Sequence, residues 1–329
     1  MKSYIRLKGL NILVTGGAGF IGSNICEFLL KNKSYVTCLD NFSTGHKKNI
    51  SHLINHKNFK LIEGDIRNIN TCQSACKKID YVLHQAALGS VPRSIKDPVT
   101  SNEVNINGFL NMLISSRDNN VKRFIYAASS STYGDSKSLP KEEDKIGTPL
   151  SPYAITKYVN ELYAKNFKIN YNLDTIGLRY FNVFGRRQDP NGAYAAVIPK
   201  FIKKLMNYEE PTINGDGSYS RDFTYIDNVI QMNILCILTD NKNALNQIFN
   251  TAVGERTNLN QLVSLLKNYL IKYDSKISNI RVNYGDFREG DIPHSLASID
   301  KAKKLLGYNP THNISKGLDE CINWYYNNL

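Results

Sequence analysis

The sequence predicts an α/β protein in which a doubly wound parallel sheet is followed by a smaller, less regular α/β domain. Over residues 10–180, short apolar runs rich in β-formers alternate with segments of helical periodicity. This alternation is typical of a parallel sheet covered by helices. After Phe181, Gly, Pro, Asn and Asp become frequent and the helices become short. We therefore expect one domain over residues 1–180 and a second over 181–329, with the chain crossing back to the first around 225–255.

The composition is that of a soluble globular chain. It has 329 residues, of which 42% are hydrophobic and 21% charged, with a formal net charge of +12. The lysines are dispersed and form no run of five or more, so we expect no nucleic-acid partner. No apolar run approaches the roughly 20 residues that span a bilayer. The basic start, residues 1–8, leads into a short predicted strand rather than a signal-peptide core. We therefore expect a cytoplasmic protein with no membrane partner.

The six cysteines give no sign of a metal site. They form no Cys-x-x-Cys pair, and Cys72 and Cys76 have no accompanying His cluster. Zinc sites need such spacings. We expect no metal and interpret the cysteines as reduced thiols.

A glycine turn follows the first predicted strand, residues 10–15, and leads into a helix. Its glycines are Gly16, Gly19 and Gly22. Glycine permits a tight turn and close approach of the backbone to a pyrophosphate at the helix N-terminus. This arrangement predicts a Rossmann-type dinucleotide site.

Acidic residues end the next two predicted strands. Residues 35–39 lead to Asp40, 18 residues after Gly22, close to the spacing of the carboxylate that binds an adenosine ribose diol. Its charge would repel a 2′-phosphate, which favours NAD over NADP. The third strand, residues 59–66, contains Asp65 near its end, a candidate for the adenine edge.

Small residues end the following strands. The fourth predicted strand, residues 81–87, ends in alanines, which leave room for a cofactor. We interpret His84 in this strand as a packed residue rather than a catalyst. The fifth strand, residues 121–128, leads into three serines at 129–131, and a sixth strand covers residues 176–180.

A helix predicted over residues 152–168 carries Tyr153 and Lys157. Residues four apart lie on one face of a helix. The nearby ammonium is expected to favour tyrosinate and to lower the pKa of Tyr153 from about 10. The pair is therefore a candidate general base for an alcohol.

Together these features resemble the extended short-chain dehydrogenase/reductases, within the NAD-dependent epimerase/dehydratase family. Segments 180–185 (Tyr-Phe-Asn-Val-Phe-Gly) and 221–227 (Arg-Asp-Phe-Thr-Tyr-Ile-Asp) resemble its nucleotide-sugar branch. Segments 84–94 and 186–194 are similar, nearly letter for letter, to bacterial UDP-N-acetylhexosamine 4-epimerases of O-antigen and capsule synthesis. The resemblance covers essentially the whole chain, and it implies that the second domain binds the nucleotide sugar.

The resemblance implies a UDP-GlcNAc 4-epimerase that uses tightly bound NAD. Tyr153 would remove the O4 proton, the C4 hydride would pass to NAD⁺, and the 4-keto sugar would take it back on its other face. Lys157 would also hold the nicotinamide ribose. Ser129 is ranked first as the residue that relays the O4 proton, with Ser130 and Ser131 as further relay or substrate candidates.

The resemblance also assigns the remaining contacts. The cofactor residues it implies, besides Tyr153 and Lys157, are Gly16, Gly19, Phe20, Ile21, Gly22, Asp40, Asn41, Ser43, Thr44, Gly45, Asp65, Ile66, Gln85, Ala86, Ala87, Tyr180 and Val183. The substrate residues it implies are Gly89, Ser90, Ser130, Ser131, Asn182, Ala196, Val197, Lys200, Ile213, Asn214, Gly215, Arg221, Arg288, Asp291 and Ser295. Among these, Arg221 and Arg288 would bind the phosphates, since the planar guanidinium suits them.

Ser295 falls where galactose-type epimerases carry a Tyr or a Cys against the sugar C2 group. A serine leaves more space there, so 2-acetamido sugars are expected to be accepted and preferred.

Several alternatives stay open on the sequence. A UDP-glucose 4-epimerase or a UDP-glucuronic acid decarboxylase would share Tyr153 and Lys157. A 4,6-dehydratase would need an acidic pair where this chain has Ser130 and Ser131. A non-catalytic, NAD-sensing binding protein could share the fold, since fold alone does not fix function.

The resemblance implies a homodimer through an intersubunit four-helix bundle. One helix would begin near Asn102 and the other would be the Tyr153 helix. Their apolar residues, which could instead cover the sheet, are Val104, Ile106, Phe109, Leu110, Leu113, Tyr158, Leu162 and Phe167.

Overall fold

The structure, a computed structural model, describes residues 2–191, 195–287 and 292–329. The strands are, in chain order, β1 (Asn11–Thr15), β2 (Tyr35–Asp40), β3 (Phe59–Glu63), β4 (Tyr81–His84), β5 (Arg123–Ser129), β6 (Thr175–Tyr180), β7 (Val183–Phe184), β8 (Thr212–Asn214), β9 (Ser220–Arg221), β10 (Thr224–Tyr225), β11 (Gln247–Thr251), β12 (Thr257–Asn258) and β13 (Asn283–Gly285). The α-helices are α1 (Phe20–Lys31), α2 (Ile69–Cys76), α3 (Val91–Lys96), α4 (Pro98–Asn102), α5 (Gly108–Asp118), α6 (Pro152–Tyr171), α7 (Val197–Met206), α8 (Ile226–Leu238), α9 (Leu259–Leu270), α10 (Asp300–Leu306) and α11 (Ile314–Asn328).

Seven strands form one sheet in the described part of the chain, in the order β11-β6-β5-β4-β1-β2-β3. Every pairing in it is parallel. The α/β prediction of a doubly wound parallel sheet is therefore confirmed. The chain leaves β1 toward β2 on one side and later returns to β4 on the other. Such a switch point opens a crevice at the carboxyl ends of the strands, where ligands bind in folds of this kind.

Helices cover both faces of the sheet. α2, α5 and α6 pack together on one face, and α1 packs with α8 on the other. The first face is built around an aromatic cluster in which the Phe109 ring lies 5.2 Å from Tyr126 and 5.5 Å from Phe124. These rings are fully or almost fully buried. Burial of such large apolar surfaces is the main term that stabilises an arrangement of this kind.

The second half of the chain is less regular. It contributes three two-stranded pairings, β10 with β7, β12 with β9 and β13 with β8. Helix α9 packs against α7 and α11. Strand β11, however, pairs along its whole length with β6 and completes the main sheet. The division into domains at residue 180 remains a prediction.

The basic N-terminal residues form a 3₁₀-helix, Lys2–Leu7, and the strand predicted to follow them is β1. One local prediction was wrong. The helix predicted to begin near Asn102 is broken into three parts, α4, a π-helical turn (Glu103–Asn107) and α5. The Asn105 side chain inside the π turn bonds to groups outside the helix, and π turns of this kind are frequent at functional sites. Among the described residues, no helix is both long and apolar enough to cross a membrane.

Candidate active site

A cleft of about 390 Å³ opens at the switch point of the sheet. It lies where the turns after β1 and β4 meet. Gly16 has a φ of +66°, and a Cβ atom at this position would lie 2.8 Å from the backbone of Ala86. A Cβ on Gly22 would collide with the carbonyl oxygen of Gly16. Only glycine fits these positions, so the backbone itself forms the floor of the cleft.

Most of the predicted cofactor residues line this cleft. They are Gly16, Gly19, Phe20, Ile21, Gly22, Asp40, Asn41, Ser43, Thr44, Gly45, Asp65, Ile66, Gln85, Ala86 and Ala87. Gly89, predicted to face the sugar, lines it as well. Tyr180 lies outside this lining but its hydroxyl donates to Gln85 Oε1 at 3.0 Å. Val183 is half-buried in β7.

The sequence missed four residues that line the same cleft, namely Leu39, Gly64, Leu88 and Val104. Leu39 and Gly64 directly neighbour predicted residues, so strand-end position was a usable signal for them. Val104 comes from the π turn, and no sequence signal placed that turn beside the cleft.

The two acidic residues in the cleft are held differently. Asp40 is buried and accepts backbone N–H bonds from Ala18 at 2.9 Å and Phe42 at 2.8 Å. Asp65 is bound by Arg67, and this interaction lowers the pKa of Asp65 to about 2. The carboxyl oxygens of both residues are therefore held as hydrogen-bond acceptors in the lining of the cleft.

Tyr153 and Lys157 occupy adjacent turns of α6, one face of which packs on the sheet. The Lys157 ammonium lies 6.0 Å from the centre of the Tyr153 ring. It donates to the carbonyl oxygen of Ala127 in β5 at 2.7 Å. The Tyr153 phenol has the Ser129 side chain as a hydrogen-bonding partner. The structure thus brings the predicted tyrosine, lysine and first-ranked serine into one cluster.

The expectation that Lys157 lowers the pKa of Tyr153 was wrong for the protein alone. Burial raises the pKa of Tyr153 above its ordinary value, and the hydrogen bond with Ser129 offsets only part of that rise. Burial also lowers the pKa of Lys157 to about 8. The physical reason is that both groups lie in a low-dielectric region that disfavours each charged form.

The three serines differ in their contacts. Ser129 caps a 3₁₀ turn (Ser130–Tyr133), accepting the Ser131 backbone N–H at 3.1 Å. The Ser131 hydroxyl donates to the Ser129 hydroxyl at 2.9 Å. Ser129 is buried, whereas Ser130 and Ser131 are half-buried. Ser129 therefore lies between Ser131 and Tyr153.

His84 is packed within the sheet. Its ring stacks on Phe124 with 5.5 Å between centres, and Nδ1 lies 2.9 Å from the Thr15 hydroxyl. Burial, with the nearby charge of Lys157, lowers the pKa of His84 to about 3. A neutral, buried imidazole of this kind fits the interpretation of His84 as a structural residue.

The amino-terminal end of α6 is anchored through groups that the sequence did not single out. The Tyr153 backbone N–H donates to the Ser94 hydroxyl at 3.0 Å. Asn105 donates to the Thr156 hydroxyl at 3.2 Å and accepts the Leu88 N–H at 2.8 Å. Asn105 therefore links the rim of the cleft to the helix that carries Tyr153.

Three of the predicted substrate residues lie on segments joined by hydrogen bonds. The Asn182 side chain donates to the Asp222 carbonyl at 3.1 Å. Arg221 donates to the carbonyl oxygens of Ser220 and Pro293 at 3.0 Å each. The Ser295 N–H donates to the Ser220 carbonyl at 3.0 Å. Asn182, Arg221 and Ser295 thus come from distant parts of the sequence to one region.

The other predicted substrate residues are more dispersed. Ser90 caps α3 by accepting the Arg93 N–H, and Lys200 is exposed on α7. The side chain of Ile213 is buried in the core, so only its backbone is available to a ligand. The remaining members are Ala196 and Val197 at the start of α7, Asn214 at the end of β8, and Gly215, which follows it. Arg288 and Asp291 lie outside the described residues.

Asp222 holds these segments together. Its buried carboxylate accepts N–H bonds from Val253 and Gly254 at 3.0 Å and from Ala297 at 3.3 Å. Burial outweighs these bonds and raises the pKa of Asp222 to about 6. The geometry of the Arg221–Ser295 region therefore depends on a group that titrates near neutral pH.

One cluster of potential metal ligands lies on other elements. Single ligand atoms of Asp227, His312 and Glu320 lie within 4.8 Å of one another. Each is already paired inside the protein. Arg186 donates to Asp227 at 3.0 Å, and His312 Nε2 lies 2.8 Å from Glu320. The sequence did not indicate this cluster.

The helices predicted to form an intersubunit bundle show a mixed pattern. Phe109, Leu113 and Phe167 are buried in the core of the protein itself, so these three cannot contribute to an interface. Leu162, in contrast, is 51% exposed. Exposed apolar residues on the same group of helices that the sequence did not single out include Ile95, Val99 and Ile155.

Comparisons with known proteins agree with this geometry. The family model described as "NAD dependent epimerase/dehydratase family" matches residues 12–252. A putative UDP-glucose 4-epimerase of Methanocaldococcus jannaschii is 36% identical over 319 residues, covering 96% of this chain and 99% of that protein.

Two solved structures are similar over nearly the full chain. A UDP-N-acetylglucosamine 4-epimerase from Methanobrevibacter ruminantium, in complex with UDP-N-acetylmuramic acid, is 40% identical with a TM-score of 0.91, covering 98% of this chain and 100% of that one. A UDP-glucuronic acid 4-epimerase from Bacillus cereus, in complex with UDP-glucuronic acid and NAD, is 32% identical with a TM-score of 0.88, covering 97% and 99%.

Proposed function

The chain belongs to the NAD dependent epimerase/dehydratase family, and we propose that it is a UDP-sugar 4-epimerase whose preferred substrate is UDP-N-acetylglucosamine. The observation that carries the proposal is the cluster of Tyr153, Lys157 and Ser129 next to a glycine-floored cleft. A general base with a proton relay suits the removal of a proton from a sugar hydroxyl.

The cleft suits a dinucleotide on its own geometry. In the Gly16–Gly22 turn, a Cβ atom at Gly16 or at Gly22 would collide with neighbouring backbone, and α1 directs its N-terminus at the cleft, where backbone N–H groups favour a pyrophosphate. We assign the Asp40 carboxyl group, in the lining of the cleft, to the two hydroxyls of the adenosine ribose of NAD. When bound, NAD⁺ supplies the acceptor and donor of the C4 hydride and adds a positive charge to the site.

The residues of this chain supply the proton chemistry. Tyr153 takes the O4 proton, and Ser129 passes protons between O4 and the phenol. Because burial opposes the tyrosinate form, Tyr153 needs nearby positive charge before it can act as a base. Lys157, fixed on the Ala127 carbonyl, provides part of that charge at neutral pH.

The substrate region supports a nucleoside diphosphate sugar. Arg221 offers a guanidinium beside Asn182 and Ser295, which matches a diphosphate next to a sugar ring. Ser295 is half-buried and small, which leaves room for a 2-acetamido group. The neighbour from M. ruminantium, the more similar of the two structures, bears the name of a UDP-N-acetylglucosamine 4-epimerase. We further propose that the product supplies surface polysaccharide synthesis.

The second candidate substrate is UDP-glucuronic acid, which the B. cereus neighbour holds. An NMR assay of the purified protein with UDP-GlcNAc, UDP-Glc and UDP-glucuronic acid, without added reductant, separates the candidates. Fastest conversion of UDP-GlcNAc to UDP-GalNAc supports the proposal. Faster epimerisation of either other sugar would support the proposed 4-epimerase reaction but contradict the proposed preference for UDP-GlcNAc. A 4-keto-6-deoxy product or a decarboxylated pentose overturns the reaction itself, and absence of turnover with NAD retained indicates a binding protein.

Tyr153→Phe tests the assigned base. We expect turnover of the preferred sugar to fall about 10³-fold, a typical contribution of acid–base catalysis. The NAD content of the purified protein and the Kd for UDP-GlcNAc should stay near their original values, because the ring is retained. Turnover within about threefold of the original rate would rule out Tyr153 as the base.

Ser295→Tyr tests the specificity. A tyrosine would fill the space assigned to the acetamido group, so UDP-GlcNAc turnover should fall at least about tenfold while UDP-Glc turnover persists, a discrimination typical of pocket shape. Ser295→Ala, which keeps the space, is the matched control. Unchanged UDP-GlcNAc turnover in the tyrosine variant would refute the role of Ser295.

We also propose a homodimer formed through the exposed apolar residues of α3, α4 and α6. Ile95 and Val99 are 63% and 66% exposed, and Ile155 and Leu162 extend this surface along α6. Exposed apolar patches of this kind mark protein–protein contacts. Light scattering that gives the mass of one chain would contradict the dimer.

A further inference from the structure

A buried ion pair joins the helix that carries Tyr153 to the sheet. Arg179 of β6 donates to Glu161 of α6 through two parallel bonds, from Nε at 2.9 Å and from Nη2 at 2.7 Å. The two side chains are only 3% and 6% exposed. A bidentate pair of this kind fixes both distance and orientation.

Glu161 continues the spacing of the catalytic residues. It lies four residues after Lys157 and eight after Tyr153, so the three side chains emerge from successive turns on one side of α6. Lys157 and Glu161 each bond to a different strand, Lys157 to β5 and Glu161 to β6. Two such anchors on neighbouring strands fix the rotation of α6 about its axis.

The pair also reaches the substrate region. The Arg179 nitrogen that does not bind Glu161, Nη1, donates to the Glu143 carbonyl at 2.9 Å. The Glu143 carboxylate accepts the Asn250 N–H at 2.9 Å, and the Asn250 side chain donates to the Ser298 carbonyl at 3.0 Å. The chain of bonds therefore ends three residues from Ser295.

Arg179 also contacts the 3₁₀ turn Ser130–Tyr133, here called the serine turn. Its guanidinium lies 4.7 Å from the centre of the Tyr133 ring, the last residue of the turn that begins at Ser130. The Tyr133 hydroxyl donates to Asn250 at 2.6 Å. Arg179 thus contacts α6, the serine turn and the segment leading to the substrate region.

We propose that Arg179 and Glu161 are positioning residues that hold Tyr153 in register with Ser129 and with the substrate region. This proposal rests on the proposed epimerase function. Neither residue contacts the reacting atoms, and an ion pair is a weak source of net stability once it is buried. Its bidentate geometry, joined to two other bonded segments, is suited to fixing the helix that carries the base.

Stability and positioning can be separated by replacing both partners. Removing one partner leaves a buried charge and is strongly destabilising, whereas apolar replacement of both is often neutral or stabilising. We therefore use the double variant Glu161→Leu/Arg179→Met. The matched control is Lys168→Gln/Asp174→Asn, which removes a more exposed pair, 2.8 Å from Nζ to Oδ1, between the carboxyl-terminal part of α6 and the residue that precedes β6.

In the Glu161→Leu/Arg179→Met variant we expect the midpoint of urea unfolding to be kept while kcat falls at least about tenfold, since a misplacement of about 1 Å can cost as much as 10²-fold. KM should change less than about threefold, because the substrate contacts remain. The control should keep the original kcat. A variant with the original kcat, or one that loses activity only in proportion to folded protein, would overturn the proposal.

A second readout does not need turnover. The Tyr153 phenol is titrated in the NAD-loaded protein by ultraviolet difference spectra, with Tyr153→Phe subtracted in each background. We expect the midpoint of this titration to move by about one pH unit in the double variant and not in the control, because the distance from the phenol to positive charge changes. An unchanged midpoint would contradict positioning. If the original protein epimerises no sugar, the proposed function fails, and this titration still decides the role of the pair.

Discussion

The two halves of the proposed site are built by different means. The half proposed for the cofactor (the cofactor half) is the lining of the 390 Å³ cleft and is formed by turns that directly follow β1, β2, β3 and β4. The half proposed for the substrate (the substrate half), with Asn182, Arg221 and Ser295, is assembled from segments that are far apart in the sequence and meet around Asp222. The first half is shaped mostly by backbone, whereas the segments of the second are held together around one buried carboxylate, that of Asp222. We therefore expect the first to be sensitive to added volume and the second to charge.

Gly22→Ala gives the largest expected effect and is aimed at the cofactor half. The added Cβ would collide with the Gly16 carbonyl, so the free energy of unfolding should fall by about 3 kcal/mol or more and NAD should be lost during purification. Urea unfolding and the NAD content of the purified protein measure this.

The control for this change is Gly285→Ala in β13. A Cβ there would meet Thr212 at an ordinary 3.6 Å, so we expect a change within about 0.5 kcal/mol. An equal loss in the free energy of unfolding of the two variants would mean that the close contacts at Gly22 do not make this position more sensitive to an added Cβ atom than Gly285.

His84, packed in the sheet that carries the cofactor half, gives the next effect, a dependence of stability on pH. Its pKa is lowered to about 3 in the fold and is about 6.5 when unfolded. The unfolded chain therefore binds a proton first as the pH falls, and stability is lost from about pH 6.5 downward. Between pH 8 and pH 5, His84→Gln should lose about 2 kcal/mol less than the original protein. Urea unfolding at both pH values checks this, and parallel losses would contradict it.

Asp222 gives the smallest effect, and it should act on the substrate half alone. Its pKa of about 6 means that protonation below this pH weakens the three N–H bonds that it accepts. KM for the UDP-sugar should therefore rise as the pH falls below about 6. Asp222→Asn should raise KM about tenfold, or about 1.4 kcal/mol, and should remove this dependence while NAD stays bound. A KM that varies with pH as before would exclude Asp222 as its source.

The same contrast explains which features of the fold and the site could be predicted from the sequence and which could not. The sheet and the glycine turn depend on contiguous residues, so their pattern is visible in the sequence, and the residues placed after each strand do line the cleft. The site assignments of individual residues remain predictions. What the sequence did not indicate depends on contacts across the fold. Examples are the bonds that link Asn105 to Leu88 and Thr156, and the pairing of Glu161 with Arg179, 18 residues later.

The pKa of Tyr153 is another property that depends on contacts across the fold and was not predicted correctly from the sequence. The spacing of Tyr153 and Lys157 was read correctly from a helical pattern, but the direction of the shift was not. Spacing shows that the ammonium is near, whereas burial depends on strands and helices that pack around α6. In the protein alone, burial has the larger effect.

The position of β11 has a consequence for how the protein is made. Strand β6 ends at Tyr180, and its partner β11 begins only at Gln247. While the chain emerges from the ribosome, β6 presents an unpaired edge until about 70 further residues have been synthesised. Unpaired edges invite contact with other nascent chains. We expect translation that pauses between these two strands to leave an intermediate that requires chaperones, and the yield of active protein to depend on this interval.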